Sequence, residues 1–237
     1  MNDQEKLNWI VEYIFKDLTL TEVEIFEKYP RRNLPEGAKV TRFAPSPTGF
    51  IHIGGIYSAM LDKKLASQAG GVFYLRIEDT DKKREVEGAV DMIVKAMSRF
   101  GLDLDEGFDL SGNQIGNYGP YVQSQRKEIY QVFAKKLLMQ NMAYVCFASE
   151  EELKEMIEKQ TLQNELMGYR KEWAIWRNKS LDEVIENLKQ EKPFVIRFKA
   201  EGNFDNKIKF FDQVKKEVEL PDNELDTVIM KGDGLPT

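Results

Sequence analysis

The stretch from Val40 to Ile77 limits the fold more than any other part of this chain. Val40 to Ala44 reads as a short strand, stopped by Pro45-Ser-Pro-Thr-Gly49. A helix pattern runs from about Gly54 to Ala69, and Gly70-Gly71 closes it, since glycine readily takes the left-handed turn that ends a helix. Val72-Phe-Tyr-Leu-Arg-Ile77 then returns as a largely apolar strand. Strand, helix and apolar strand in that order make a βαβ unit, because parallel neighbours need a crossover and are buried on both faces. An α/β architecture is expected.

What precedes this unit looks like a helical appendage over residues 1–38. Leu7, Ile10, Val11, Ile14, Phe15 and Leu18 share one face of a helix from about Asp3 to Leu18. The capping box Thr21-x-x-Glu24 starts a second helix that must end by Pro30. Tyr29 to Gly37, rich in breakers and basic residues, reads as a connector. After the βαβ unit comes an amphipathic helix from about Glu85 to Phe100, facing the core with Val86, Ala89, Val90, Ile93, Val94 and Met97. A Gly- and Asn-rich loop, Gly107 to Gly119, leads into a second lobe of α+β character. Its elements are a helix at about Gln125–Asn141 and a strand at Ala143–Phe147, then helices begun by Ser149-x-x-Glu152 and Ser180-x-x-Glu183. Short strands follow at Phe194–Phe198, Lys207–Phe211 and Thr227–Lys231.

Composition removes whole classes of function. Thirty-four Lys and Arg against 40 Asp and Glu leave a net charge of -6, so nucleic acid is not bound by bulk positive charge. Cys146 is the single cysteine and His52 the single histidine, which excludes an intramolecular disulfide, a Cys-rich zinc site and a His-His metal pair. There is no apolar run of about 18 residues and no basic-then-apolar leader, so the expectation is a reduced, cytoplasmic, soluble protein that binds no membrane.

The chemistry concentrates in Arg42-Phe-Ala-Pro-Ser-Pro-Thr-Gly-Phe-Ile-His-Ile-Gly-Gly55, where the first strand hands over to the helix. Ligands of open parallel sheets bind beyond the carboxyl ends of the strands. Gly54 and Gly55 let a phosphate chain approach the N–H groups and dipole of a helix start. His52 can donate a hydrogen bond to a phosphoryl oxygen, and Ser46 and Thr48 offer hydroxyls. Each feature by itself has a plainer reading: a histidine at a helix end, or prolines that only stiffen a loop. The whole string in a βαβ unit is what points to a nucleotide.

This string resembles the first signature of the class I aminoacyl-tRNA synthetases, in a His-Ile-Gly-Gly form, and its Arg-Phe-Ala-Pro-Ser-Pro-Thr-Gly part is similar to glutamyl-tRNA synthetases. Leu75-Arg-Ile-Glu-Asp-Thr-Asp81, Gly119-Pro-Tyr-Val-Gln-Ser-Gln-Arg126 and Asp226-Thr-Val-Ile-Met-Lys-Gly-Asp-Gly-Leu-Pro-Thr237 resemble the same family in the same order. The resemblance implies activation of glutamate by ATP to glutamyl-adenylate, followed by transfer to the 3′ end of tRNA(Glu). By the same resemblance His52 is the catalytic residue, and His52, Gly54, Gly55 and Thr48 bind ATP. Arg42, Ala44, Ser46 and Glu78 bind glutamate: Arg42 forks its side-chain carboxylate and Glu78 takes its ammonium. A surface ion pair is the plainer reading of Arg42 and Glu78. Mg²⁺ is the expected companion of ATP, held largely by phosphate and water. No protein metal site and no structural zinc are expected, because the cysteines of relatives that carry zinc near Ala143–Phe147 are reduced here to Cys146.

The resemblance also divides the chain. Residues 39–118 correspond to the first half of a Rossmann-like nucleotide-binding fold, and residues 119–225 to an inserted α+β connective domain that grips the tRNA acceptor end. Residues 226–237 begin the return to the catalytic domain. Between Lys189 and Lys216 eight basic residues face four acidic ones, a local surplus suited to phosphates or to a solvated strand edge. Arg84, Lys199, Lys207 and Lys209 are the candidate tRNA contacts. Lys95-Ala-Met-Ser-Arg99 looks faintly like the second class I signature, but it lies inside the amphipathic helix. That signature would fall beyond Thr237, so the chain is expected to be the N-terminal part of a longer, monomeric enzyme and inactive alone. Alternatives are the paralogue that glutamylates a queuosine-type base of tRNA(Asp), and a non-catalytic tRNA-binding module. Whether tRNA(Gln) is also charged is left open.

Overall fold

A computed structural model describes residues 1–49, 51–81, 84–212 and 215–237. Along the first half run α1 (Asp3–Ile14), α2 (Glu22–Lys28), β1 (Val40–Phe43), α3 (Ile53–Gln68), β2 (Val72–Leu75), α4 (Ala89–Arg99), β3 (Gly107–Phe108) and β4 (Gln114–Ile115). The second half contains α5 (Lys127–Met139), β5 (Ala143–Cys146), α6 (Glu150–Leu162), α7 (Leu181–Lys189), β6 (Val195–Phe198), β7 (Lys207–Asp212), β8 (Lys216–Pro221) and β9 (Val228–Lys231). Contacts gather these into two compact units, Leu20–Tyr130 and Met1–Thr19 with Gln131–Thr237. Helix α1 therefore belongs to the second unit and α2 to the first.

In the Leu20–Tyr130 unit the expected crossover is present. Strands β1 and β2 pair in parallel, Val40 with Val72 through Phe43 with Leu75, and α3 joins them. Gly71 is where the two strands come close, since a Cβ there would run into the Lys39 carbonyl. That carbonyl accepts the Val72 N–H at 3.0 Å. Alternation along β2 and its continuation buries Phe73, Leu75 and Ile77 in a core shared with Ile56, Ile93 and Met97. Helix α4 starts later than its apolar pattern suggests. Gly88, in a left-handed conformation (φ +75°), is its N-cap. Val86 is thereby left exposed before the helix rather than on its core face, and its N–H donates to the Pro47 carbonyl at 2.9 Å. Val94 and Met97 are buried as expected, so Lys95–Arg99 is helix.

A buried polar cluster ties the connector after α2 to this unit. Arg32 forks Glu106 with both terminal nitrogens, Nη2 lying 2.7 Å from Oε2, while the Tyr121 hydroxyl donates to Oε2 at 2.8 Å. The Arg32 guanidinium lies 3.6 Å from the Tyr118 ring centroid. Burial pushes the Glu106 carboxyl up, but the bonds from Arg32 and Tyr121 outweigh it and hold the group below its ordinary range. Burial and the bond to Glu106 push the Tyr121 phenol up to about 12. A depressed carboxyl favours the fold at neutral pH, and that contribution fades as pH falls through the folded value. Arg32→Met should thus cost about 2 kcal/mol at pH 7. The gap between wild type and variant in urea unfolding should narrow markedly near pH 3; an equal gap at both values would contradict the assignment.

The other unit is a three-stranded antiparallel sheet, β5-β6-β9, with a separate β7-β8 hairpin. Helices α1 and α7 pack together beside the sheet residues, with Ile10, Val11, Phe15, Leu138, Val145, Leu188 and Ile196 in one core. Lys6 bonds Asp182 at 2.6 Å and the Tyr13 hydroxyl donates to the Leu188 carbonyl at 3.0 Å. The capping boxes at Asn2, Thr21, Ser149 and Ser180 are all formed. Among the described residues no helix is long and apolar enough to cross a membrane.

Candidate active site

The site residues gather where β1 and β2 end. Past the strands the chain stays paired: the Arg76 N–H donates to Phe43 O and the Glu78 N–H to Pro45 O, each at 3.0 Å. The register sets Arg42 beside Tyr74, so Arg42, Arg76 and Glu78 fall on one face by alternation. Arg42 Nη1 lies 3.2 Å from Glu78 Oε1, and Arg76 Nη2 lies 3.0 Å from the same oxygen. Two of the four residues expected to bind glutamate are therefore partners here. A third group, Arg76, joins them. Arg42 is 39% and Glu78 30% exposed, and pairs so open contribute little to stability. Their geometry matters more for what they can bind.

A cleft of about 350 Å³, in the size range of small-molecule sites, lies where β1 ends, lined by residues between Phe43 and Gly55 and by Ile93. Phe43, Ile51 and Ile93 give it apolar walls, and Ser46, Thr48, His52 and Gly55 bring polar groups and open backbone to it. His52 is the N-cap of α3 with an extended backbone and makes no capping bond with its side chain, so the imidazole is not spent on the helix. Arg42, Ala44, Glu78 and Gly54 are not among the cleft's lining residues. Phe50 of the signature string lies outside the described residues.

The glycines act differently from the simple expectation. A Cβ at Gly54 would lie 3.0 Å from His52 Cε1, and one at Gly55 would lie 3.0 Å from Ile51 Cγ1. Side chains there would first press on the histidine and the cleft wall, before any ligand is considered.

The Gly119–Arg126 string, expected at the start of the connective domain, packs instead within the Leu20–Tyr130 unit. It runs beside the end of β2, with Ile77 and Val122 forming a parallel bridge. Ile77 N–H donates to Tyr121 O at 2.9 Å and Gln123 N–H to Ile77 O at 2.8 Å. Asp79 accepts the Ser124 N–H at 2.8 Å and the Ser124 hydroxyl as well. Ser124 in a turn, answering the acidic residues that follow a strand, was the available signal.

The candidate tRNA contacts have partners of their own. Arg84 is exposed and pairs with Asp81 at 2.6 Å. Lys199 donates to Asn141 Oδ1 at 3.1 Å. Lys209 pairs with Glu219 across the β7-β8 hairpin at 2.7 Å, and Lys207 is exposed at the hairpin's base. Arg197 is buried over the Tyr169 ring and donates to Asp226 O at 2.8 Å, which removes it from any phosphate-facing surface. The basic surplus counted along the chain is thus thinner as a surface, and Glu217 and Glu219 enter it from β8. Cys146 is buried, its thiol 3.5 Å from the Tyr169 hydroxyl. Among the described residues no group of three His, Cys, Asp or Glu side chains could hold a metal ion.

Comparison with known proteins decides the family. Residues 39–237 match the model of the class I tRNA synthetases (E and Q), catalytic domain. The chain belongs to this family. The glutamate–tRNA ligase of Clostridium perfringens (strain 13 / Type A) is 48% identical over 228 residues, 96% of this chain and 42% of that protein. That of Acetivibrio thermocellus is 47% identical over 236 residues, 99% of this chain and 42% of that protein. A crystal structure of the glutamate tRNA ligase from Elizabethkingia meningosepticum in complex with its amino acid superposes with a TM-score of 0.74 at 36% identity. It covers 85% of this chain and 40% of that one. The glutamate-tRNA synthetase of Elizabethkingia anophelis gives a TM-score of 0.75 with the same identity and coverage. The expected class I synthetase fold is therefore met. The chain spans about two-fifths of the length of these curated relatives.

Proposed function

We propose that this synthetase chain carries the amino-acid and ATP sites of a glutamate–tRNA ligase. The observation that carries the reading is the convergence, at the ends of one parallel strand pair, of the Arg42–Glu78 pair and the cleft of Ser46, Thr48, His52 and Gly55. Arg42 offers a fork to the side-chain carboxylate of glutamate, where the neutral amide of glutamine would leave the guanidinium unmatched. Glu78 accepts hydrogen bonds from the substrate's ammonium, and Ala44 borders the amino acid together with Ser46, which also lines the adjoining cleft. The α-carboxylate then attacks the α-phosphorus of ATP, releasing pyrophosphate. His52, at the positive end of α3, donates to a phosphoryl oxygen with Thr48 and the Gly54–Gly55 backbone nearby. Catalysis of this kind is positioning and charge stabilisation. Mg²⁺, when bound with ATP and held by its phosphates and water, would supply charge neutralisation.

The glutamyl group is proposed to pass to the 3′ end of tRNA(Glu) in the cytoplasm. Residues 39–118 serve as the first half of the nucleotide fold, 119–225 as the connective domain, and 226–237 as the start of the return. Arg84, Lys199, Lys207 and Lys209 are the proposed phosphate contacts, which predicts salt-sensitive binding.

The test is chemical-shift mapping with ATP and with glutamate. ATP should perturb residues 43–56 and glutamate residues 42, 76 and 78; shifts confined to residues 131–237 would overturn the reading. Gly54→Val adds a second check. The branched side chain presses on the His52 ring, so ATP affinity should fall about tenfold, a change of about 1.4 kcal/mol. Thermal stability should hold, because Gly54 is exposed and valine suits a helix better than glycine. Unchanged ATP affinity would show that the His52 ring is not part of the site.

A further inference from the structure

We propose that Arg76 is a positioning residue that holds Glu78 in place for the substrate's ammonium once Arg42 turns to the substrate's carboxylate. The inference rests on the glutamate reading above and adds a residue to it. Arg42 and Arg76 approach one and the same carboxylate oxygen, at 3.2 and 3.0 Å. They are not equivalent. The Arg42 side chain is 39% exposed and Arg76 only 18%. Arg76 Nε is buried without a hydrogen-bond partner among the described residues, so that guanidinium is sunk against the sheet. Arg76 and Glu78 lie two residues apart in extended chain, hence on one face, and the N–H of each is fastened to the continuation of β1 at 3.0 Å. One arginine is free to leave the carboxylate and the other is built to stay.

Charge explains why two are needed. Two guanidiniums and one carboxylate sum to a single positive charge, and glutamate at neutral pH carries a single negative one. If Arg42 alone served Glu78, its move to the ligand would strand a half-buried carboxylate beside two incoming carboxylates, a like-charge arrangement that costs affinity. With Arg76 in place Glu78 stays neutralised, keeps its orientation and presents its other oxygen to the ammonium.

The experiment is a double-mutant cycle on glutamate affinity, followed by NMR titration of Arg76→Gln, Glu78→Gln and the double variant. Glu78→Gln keeps Arg42 intact, so binding remains measurable at millimolar glutamate. Arg76→Gln should weaken glutamate about tenfold in the wild-type background and have little further effect when Glu78 is already Gln. Arg76→Lys, which keeps the charge but loses the fork, should recover part of the loss. An equal loss in both backgrounds would mean a general structural effect and would overturn the role, as would no loss at all. Failure of the unsubstituted protein to bind glutamate would overturn the glutamate assignment itself, and this role with it.

Discussion

Asp226→Ala is expected to destabilise the unit containing residues 131–237 by about 2–4 kcal/mol, because it strips the acceptor from a buried phenol and a buried N–H and removes one partner of a part-buried cation. The Asp226 residue is 1% exposed. Its Oδ1 accepts from Arg177 Nη1 at 2.7 Å and from the Ala200 N–H at 2.9 Å, and its Oδ2 accepts from the Tyr144 hydroxyl at 2.7 Å. Burial, followed by the bond to Asp226, pushes the Tyr144 phenol far up, so the hydroxyl remains a donor at any working pH. Alanine leaves the Tyr144 hydroxyl and the Ala200 N–H unanswered, while Arg177 keeps the Ala200 carbonyl at 2.7 Å and Glu201 at 3.5 Å. Asn is the informative intermediate, since it keeps the shape and loses the charge. Trp9, Trp173 and Trp176 all lie in this unit and report its unfolding. The urea midpoint should drop with the slope unchanged. A loss below 1 kcal/mol would mean that the cluster behaves like a surface network.

Arg42→Ala is expected to weaken glutamate about 100-fold, the loss of charge-assisted bonds worth about 3 kcal/mol. ATP affinity should barely move, because Arg42 is not among the residues lining the cleft that holds Ser46, Thr48 and His52. Paired titrations of the two ligands check both halves of the statement. Equal losses for both would show that Arg42 and the cleft serve one undivided pocket.

The βαβ unit was legible because its signals agree: an apolar strand, a helix closed by Gly70-Gly71, and prolines that stop β1 where a ligand would sit. Capping boxes marked helix starts for the same local reason. What escaped was what local pattern does not carry. The β3-β4 hairpin pairs two residues with two, too few for any alternation to register. Strand β8 was missed although Glu217 to Leu220 alternates charged and apolar residues, because on this exposed hairpin no buried face marks it. Residues 1–38 read as one appendage, yet α1 and α2 fall in different compact units, and only tertiary packing separates them. At the site, Arg42 and Glu78 were found as residue types at strand ends. Arg76 was not, since its role depends on sharing an oxygen with Arg42.

Helix α1 meets its partner across a long interval of chain. The Tyr13 hydroxyl reaches a carbonyl 175 positions later, and Ile10, Val11 and Phe15 are buried with Leu188. On a ribosome adding roughly 5–20 residues per second, that interval lasts roughly 10–35 s. Throughout it α1 has an oily side that α7 has yet to cover. A nascent chain of this protein therefore offers prolonged occupancy to whatever shields new polypeptides at the tunnel exit. The βαβ unit, whose pieces are neighbours in the message, can settle while α1 is still waiting.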